Sequence, residues 1–405
     1  MKTKLNQLPL IVAGLALLGT AAVIVGQAPA PPRGGAAPAA PAAAQGRGQA
    51  APAAAPFVKS GTYFKNVTTS TLKELSVDDF IAAMGVMNAA LGYDCATCHP
   101  GAGSDKVDFA IDTIPQKRMA RLMVEMVNNI NKNNFNGQQK VTCWTCHHQH
   151  DKPISTIALD NLYNEPLPED TDIITPSIGK ETADQLLDKI IVAYGGAQRL
   201  ATLRSFVATG ISVGYGDFGG DAEYTVYATA PNKRTTTIFY KEHPERGESV
   251  WTVDGTKGWV KTPRGFLPQY ELIGGELEGN KLEAVLSFPG QIKSALTGWK
   301  IGLNRTIGDK DYAVLQGNGP NGYLATLYFD LDTHLLKRLV RYAPSPVGRV
   351  PVQVDYADYR DVGGIKFPFE YKFSWLDGKY TAHIKDIKTN ITIEASKFGE
   401  AALKK

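Results

Sequence analysis

The chain has 405 residues and a formal net charge of +3, with 43% hydrophobic and 20% charged residues, the ordinary composition of a globular protein. It contains no long basic run, and phosphate binding needs a concentrated Lys/Arg surface, so nucleic acid is excluded as a partner. At ~150 residues per domain the length accommodates two folded units once a non-globular N-terminus is set aside.

That N-terminus reads as an export signal. Lys2 and Lys4 precede an apolar run from Leu8 to Gly26. The run exceeds the ~7–15 residues of a usual signal core and approaches the ~20 that span a bilayer. Cleavage after Ala28 or Ala30 would place Pro29 or Pro31 next, which favours an uncleaved segment. Residues 1–26 are therefore expected to be a signal sequence or membrane anchor, which places the protein on the periplasmic side of a bacterial inner membrane, anchored or soluble. Residues 27–58 form the next unit, and up to residue 56 they are nearly all Ala, Pro, Gly and Gln. With almost no large side chain to bury, they are expected to be a disordered tether.

The next unit, residues 59–155, holds a repeat. Ser76-Val77-Asp78-Asp79 is a helix start, an N-cap serine with an acid three residues on. The helix ends near Gly92 and carries Phe80, Met84, Met87 and Leu91 at offsets 0, 4, 7 and 11. Cys95-Ala-Thr-Cys98-His99 follows. A second helix is expected from about Pro115, proline being tolerated in a first turn. It carries Met119, Met123, Met126 and Ile130 at the same four offsets, ahead of Cys143-Trp-Thr-Cys146-His147. At ~100° per residue these offsets fall within an arc of about 60°, so each set is one narrow stripe.

All four cysteines are consumed by the two pentapeptides, which leaves none for a disulfide. Two thiols three residues apart reach the two vinyl groups of one porphyrin, and the adjacent histidine lands under the iron. Zinc held by two Cys-x-x-Cys pairs is the rival reading, but it requires no histidine after each pair. Two covalently bound haem c groups are therefore expected, attached through Cys95, Cys98, Cys143 and Cys146, with His99 and His147 as proximal ligands. Methionine usually fills gaps in cores. Here, of six methionines, all but the initiator lie on the two striped helices, so at least one thioether per helix is expected on iron.

A Pro- and acid-rich stretch, Glu165 to Pro176, marks a linker over 156–178. Thr182 then starts a helix with Gln185 as capping partner and Leu186, Leu187, Ile190, Ile191 and Tyr194 buried, ended by Gly195 and Gly196. Beyond it the period becomes 2. Tyr371, Phe373 and Trp375 alternate with Lys372 and Ser374, Asp377-Gly378 supplies a turn, and Tyr380, Ala382 and Ile384 continue a hairpin. Similar turns fall at Asp254-Gly255 and Asn321-Gly322, with a helical patch at Leu272–Phe288. The fold class expected is multi-domain: an α-helical multihaem cytochrome c domain, then, over 179–400, an α+β domain with an antiparallel sheet curled around a helix. The two folded units are expected to be separable. His243, His334 and His383 read as isolated surface or hydrogen-bonded histidines, and no catalytic constellation stands out.

The stretch from about Phe64 to Pro153 resembles half of the photosynthetic reaction-centre cytochrome c subunit. Phe80-x3-Met84, Ala120-Arg121-x-Met123-x2-Met126-x3-Ile130-Asn131 and Val141-Thr142-Cys143 carry the likeness. The resemblance implies a periplasmic electron donor, makes Met84 and Met123 the axial ligands, and places Met87 and Met126 against the porphyrin edge. The family has four haem motifs and this chain two. Residues 131–142 also lack the histidine that serves one family haem, and His148-Gln149-His150 replaces the usual Arg-Gly. The two extra histidines read as solvated. Separately, Phe329-Asp330-x2-Thr333-x-Leu335-Leu336-Lys337-Arg338 and Asp358-Tyr359-Arg360-Asp361-x-Gly363-Gly364-x-Lys366-Phe367-Pro368 are similar to segments of lipoprotein-carrier-like half-barrels, a likeness of fold alone.

His/Met ligation fills both axial positions of an iron and raises its potential, which suits an electron carrier rather than an enzyme. The expected partners are redox proteins, a membrane reaction centre or a respiratory complex, with membrane contact through the N-terminal segment. The alternatives are a di-haem peroxidase-like enzyme, and a lipid- or quinone-binding module with a tethered cytochrome.

Overall fold

The computed structural model describes residues 57–404 except 105, 154, 157–171, 180, 216–219 and 264–265. The leader and the tether up to residue 56 lie outside the described residues. The helical part contains α1 (Ser60–Tyr63), α2 (Val77–Leu91), α3 (Cys95–Cys98), α4 (Pro115–Asn134) and α5 (Cys143–His147). Helix α2 starts where the sequence indicates, because the Ser76 hydroxyl accepts from the Asp79 N–H at 3.1 Å. It stops at Gly92, whose φ of 67° suits a residue without Cβ. Pro115 occupies the first turn of α4.

After α6 (Ala183–Ala193) and α7 (Ala197–Leu200) come six strands: β1 (Ser205–Val213), β2 (Asp221–Thr229), β3 (Lys233–Phe239), β4 (Glu248–Val253), β5 (Gly258–Lys261) and β6 (Gln269–Leu272). Helices α8 (Gly274–Leu286) and α9 (Ile292–Ala295) interrupt them. The chain continues through β7 (Thr297–Ile301), β8 (Arg305–Ile307), β9 (Lys310–Asn318), β10 (Leu324–Asp330) and β11 (Leu336–Ala343). It ends with β12 (Val350–Val362), β13 (Ile365–Trp375) and β14 (Gly378–Thr389). Among the described residues these make one fourteen-stranded sheet, ordered β6 to β1, then β14 to β9 and β7, with β8 paired to β9. Every pairing is antiparallel.

Helix α8 touches β3, β4 and β5 on one side and β11 on the other. Those strands are far apart in the sheet order, so the sheet must curl to bring them to one helix. Thr182 and Gln185 cap α6 reciprocally, and its Leu186, Leu187 and Ile190 join Phe206, Leu282, Leu327 and Phe367 in one large core. The interior also holds an ion pair, Arg341 to Glu283 at 3.3 Å, with both side chains at most 13% exposed. A buried guanidinium is tolerated only when its charge is matched.

The β13–β14 hairpin forms with a turn one residue earlier than expected. Trp375 pairs with Gly378, which leaves Leu376-Asp377 at the tip. The described end of the 156–178 linker is also not free chain. Ser177 N–H donates to Ile301 O at 2.9 Å and Leu303 N–H to Thr175 O at 3.0 Å, so this segment covers the β7 edge.

The helical part packs on the sheet. Leu72, Ala83, Val86 and Val124 share an apolar cluster with Val347 and Val350, and Leu376 lies against it. Asp78 and Asp79, in the first turn of α2, meet Tyr270 of β6 and Glu276 of α8 there. Burial raises both carboxyls, Asp78 to about 6, although the Tyr270 hydroxyl donating to Asp78 works the other way. The folded protein thus holds a proton on Asp78 more tightly than the unfolded chain. The group's stabilising contribution is full below its ordinary 3.8 and is lost as pH rises through about 6. Asp78→Asn is expected to stabilise the protein at pH 8 by ~1–3 kcal/mol and to change little at pH 4. Urea unfolding at the two pH values measures this; a loss of stability at pH 8 would show that the carboxylate itself is favourable there.

Candidate functional site

Each Cys-x-x-Cys-His motif sits on a single helical turn with a side-chain cap. Before α3, the Asp94 carboxylate accepts from the Thr97 N–H at 2.8 Å and the Thr97 hydroxyl at 2.7 Å. Before α5, Thr142 and Thr145 cap each other reciprocally, at 3.0 and 3.3 Å. The caps escaped sequence reasoning, although a signal existed. Both motifs have threonine just before the second cysteine and a side-chain acceptor just before the first. On one helical turn, residues three apart lie on the same side, so each thiol pair faces one way.

Cys95 and Cys146 are exposed, while Cys98 and Cys143 are partly buried. Burial pushes the Cys143 thiol up to about 11 and the Cys98 thiol upward too, so both are protonated thiols rather than reactive thiolates. Among the described residues no three His, Cys, Asp or Glu side chains converge on one point.

The histidines differ in their surroundings. His147 Nδ1 lies 2.8 Å from the His150 carbonyl oxygen. A carbonyl only accepts, so Nδ1 carries a proton and Nε2 is the ring nitrogen left to face iron. His99 Nδ1 is buried and meets no hydrogen-bonding group among the described residues. Its ring stands edge-on to Phe109, with centroids 5.2 Å apart. Burial first, then the nearby Lys117, holds this imidazole below its ordinary pKa, which leaves it in the neutral form that ligates metal. His148 and His150 are exposed, as read from the sequence.

Most of the methionines lie off the fully buried faces of their helices, although Phe80 and Met87 of the α2 stripe pack on the cluster shared with the sheet. Helix α2 buries Val77, Ala83, Val86 and Ala90, and α4 buries Val124, Val127 and Asn131. At ~100° per residue each stripe is turned about a quarter-turn from its helix's buried face. Met119 and Met126 are 54% and 41% exposed, and Met84 and Met123 are half-buried. Met87 alone among these five packs on the cluster shared with the sheet. It behaves as filler, and Met84 is left on the open part of the α2 stripe. Along α4 an open groove is lined by Leu122, Met126 and Ile130 with Glu125 and Asn129. The C-terminal end of α2 lies against the second motif, where Gln149 N–H donates to Ala90 O at 2.8 Å. Asn131, 7% exposed, sets the approach to Cys143. Its side chain accepts from the Lys140 and Val141 N–H groups at 2.9 Å and donates to Val141 O at 2.7 Å.

Thiol pairs on single helical turns, the His99 imidazole held neutral by burial, and the half-buried Met84 and Met123 fit a covalently held porphyrin. The Cys-x-x-Cys-His pentapeptide is the attachment sequence of c-type haem. Residues 36–167 match the family described as photosynthetic reaction centre cytochrome C subunit, the family that the motifs resemble, and a cytochrome c family implies haem c. No curated protein matches the chain. Similar solved structures include a LolA superfamily protein from Nitrosomonas europaea, 15% identical over 55% of this chain and 99% of that one, with a TM-score of 0.37. Another is a DUF1329 family protein from Desulfovibrio piger, 11% identical over 56% of this chain and 100% of that one, TM-score 0.39. In the C-terminal part, His243 meets Glu245 and His383 meets Glu370, at 3.1 and 3.5 Å. His334 Nδ1 lies 3.4 Å from Asp330 O.

Proposed function

We propose that this protein is a di-haem c-type cytochrome that carries electrons between redox protein partners on the periplasmic side of a bacterial inner membrane. Those partners are a membrane reaction centre or a respiratory complex. A haem c at each motif supplies a reversible one-electron iron couple. The duplication is the observation that carries this reading: a methionine-bearing helix precedes each capped motif in the chain, and Met84 and Met123 stay half-buried, off the buried face of their helices. His99 and Met84 serve one iron, His147 and Met123 the other. A histidine and a thioether at each iron would leave it no position for substrate, which separates a carrier from a peroxidase-like enzyme.

The reduced protein is therefore expected not to bind carbon monoxide readily at neutral pH. Rapid stoichiometric binding, seen as a shifted Soret band, would reject the carrier in favour of an iron with a releasable ligand. A lipid- or quinone-binding role for the sheet is less well supported, because α8 and the Glu283–Arg341 pair occupy its interior.

A further inference from the structure

Aromatic rings run in a row from the proximal histidine of the first motif to the start of the Met84 helix. His99 meets Phe109 at 5.2 Å between centroids, Phe109 meets Phe266 at 6.0 Å, Phe266 meets Phe64 at 5.5 Å, and Phe64 meets Phe80 at 5.4 Å. Phe80 heads the stripe that contains Met84. Every ring but one belongs to the helical part; Phe266 comes from the connection between β5 and β6, in the β-domain. It is 43% exposed, yet it is held in place, since the Tyr63 hydroxyl donates to the Phe266 carbonyl at 2.9 Å. Tyr63 in turn packs edge-on against Phe64 at 4.9 Å. At the second motif the β-domain contributes aliphatic side chains and backbone: Cys143 packs on the cluster of Val347 and Val350, and Val347 O accepts from Cys143 N–H at 3.1 Å. There the ring beside Trp144, itself 45% exposed, is the polar His148.

We propose that the β-domain completes the first haem site through Phe266, and that this wall makes the first haem the higher-potential one of the pair. The proposal rests on the di-haem reading above. Ferric haem carries one more positive charge than ferrous haem, so an apolar wall that excludes water disfavours the ferric form and raises the potential. The histidines add to the difference in the same direction. Hydrogen bonding from His147 Nδ1 to a carbonyl makes that imidazole the more basic ligand, which favours ferric iron, while His99 Nδ1 meets no such acceptor among the described residues. Electrons entering the protein then rest on the first haem. Phe266 acts as a positioning and shielding residue, since it holds no iron ligand.

The test is a redox titration of the full-length holoprotein followed in the Soret region. The wild type should titrate in two resolved steps. Phe266→Ala should shift the upper step down by a tenfold change in its equilibrium, about 59 mV for one electron, and leave the lower step where it was. Phe266→Leu, which restores an apolar wall, should recover most of the shift. Met84→Ala should move the same upper step. An unmoved upper step in Phe266→Ala, equal shifts of both steps, or different steps moving in Phe266→Ala and Met84→Ala would each overturn the proposal. If Phe266→Ala does not mature, Tyr63→Phe serves instead. It keeps every ring and removes only the hydroxyl holding the loop, so it should lower the same step by less, and no change overturns the proposal. A wild type without two bound haems would instead reject the di-haem reading, so the two failures are distinct.

Discussion

Acid-acetone extraction of the mature protein is expected to leave two haem increments on the intact polypeptide mass. A non-covalent haem, held by axial ligands alone, dissociates when acid protonates its histidine, whereas a thioether survives. Both cysteines of each motif lie on one capped turn and face one way, so each turn can hold one porphyrin at two points. Replacing Cys143 and Cys146 together by alanine should remove one increment and leave the other, because the first motif has its own cap at Asp94 and its own histidine. A mass equal to the bare polypeptide would reject haem attachment outright. Loss of both increments in the double variant would mean that the motifs mature as a single site.

Replacing Met84 by alanine should abolish half of the weak near-infrared sulfur–iron charge-transfer band, and Met123→Ala the other half. Each loss should also open that iron to carbon monoxide and lower its potential, since a thioether stabilises ferrous iron. Met87→Ala should leave the band intact and act on stability, because Met87 packs in the cluster of Val86, Val124 and Val347. Burial of that side chain is partial, so a cost of ~1–2 kcal/mol is expected, below the range for a fully buried methionine. Met126→Ala should likewise spare the band. If Met87→Ala or Met126→Ala removes half of it instead, the ligand lies one turn further along its helix than proposed.

Much of the candidate site was legible because its chemistry depends on local spacing. Cys95, Cys98 and His99, or Cys143, Cys146 and His147, act as a unit whatever surrounds them. A methionine stripe is a matter of helical period, and the ends of α2 and α6 follow from Ser76, Gly92 and the Thr182–Gln185 pair. The caps at Asp94 and Thr142 were legible in principle, as the repeated threonine shows. Turns between neighbouring strands, such as Asp254-Gly255, were also readable, because a hairpin is decided by residues next to one another.

Only the tertiary structure decided what long-range packing controls. No local signal pairs β1 with β14, the first strand of the sheet with the last, since the partners lie far apart in sequence. The composition break at 156–178 marks where the chain changes character and not where packing stops. Val347 and Val350 share a core with α2 and α4, and Cys143 and Tyr63 bond to β-domain carbonyls. The sequence by itself determined the two Cys-x-x-Cys-His motifs and the two methionine-bearing helices ahead of them. Neither period nor motif can place Phe266 beside Phe64 and Phe109, because that contact exists only once the curled sheet and the helical part are packed together.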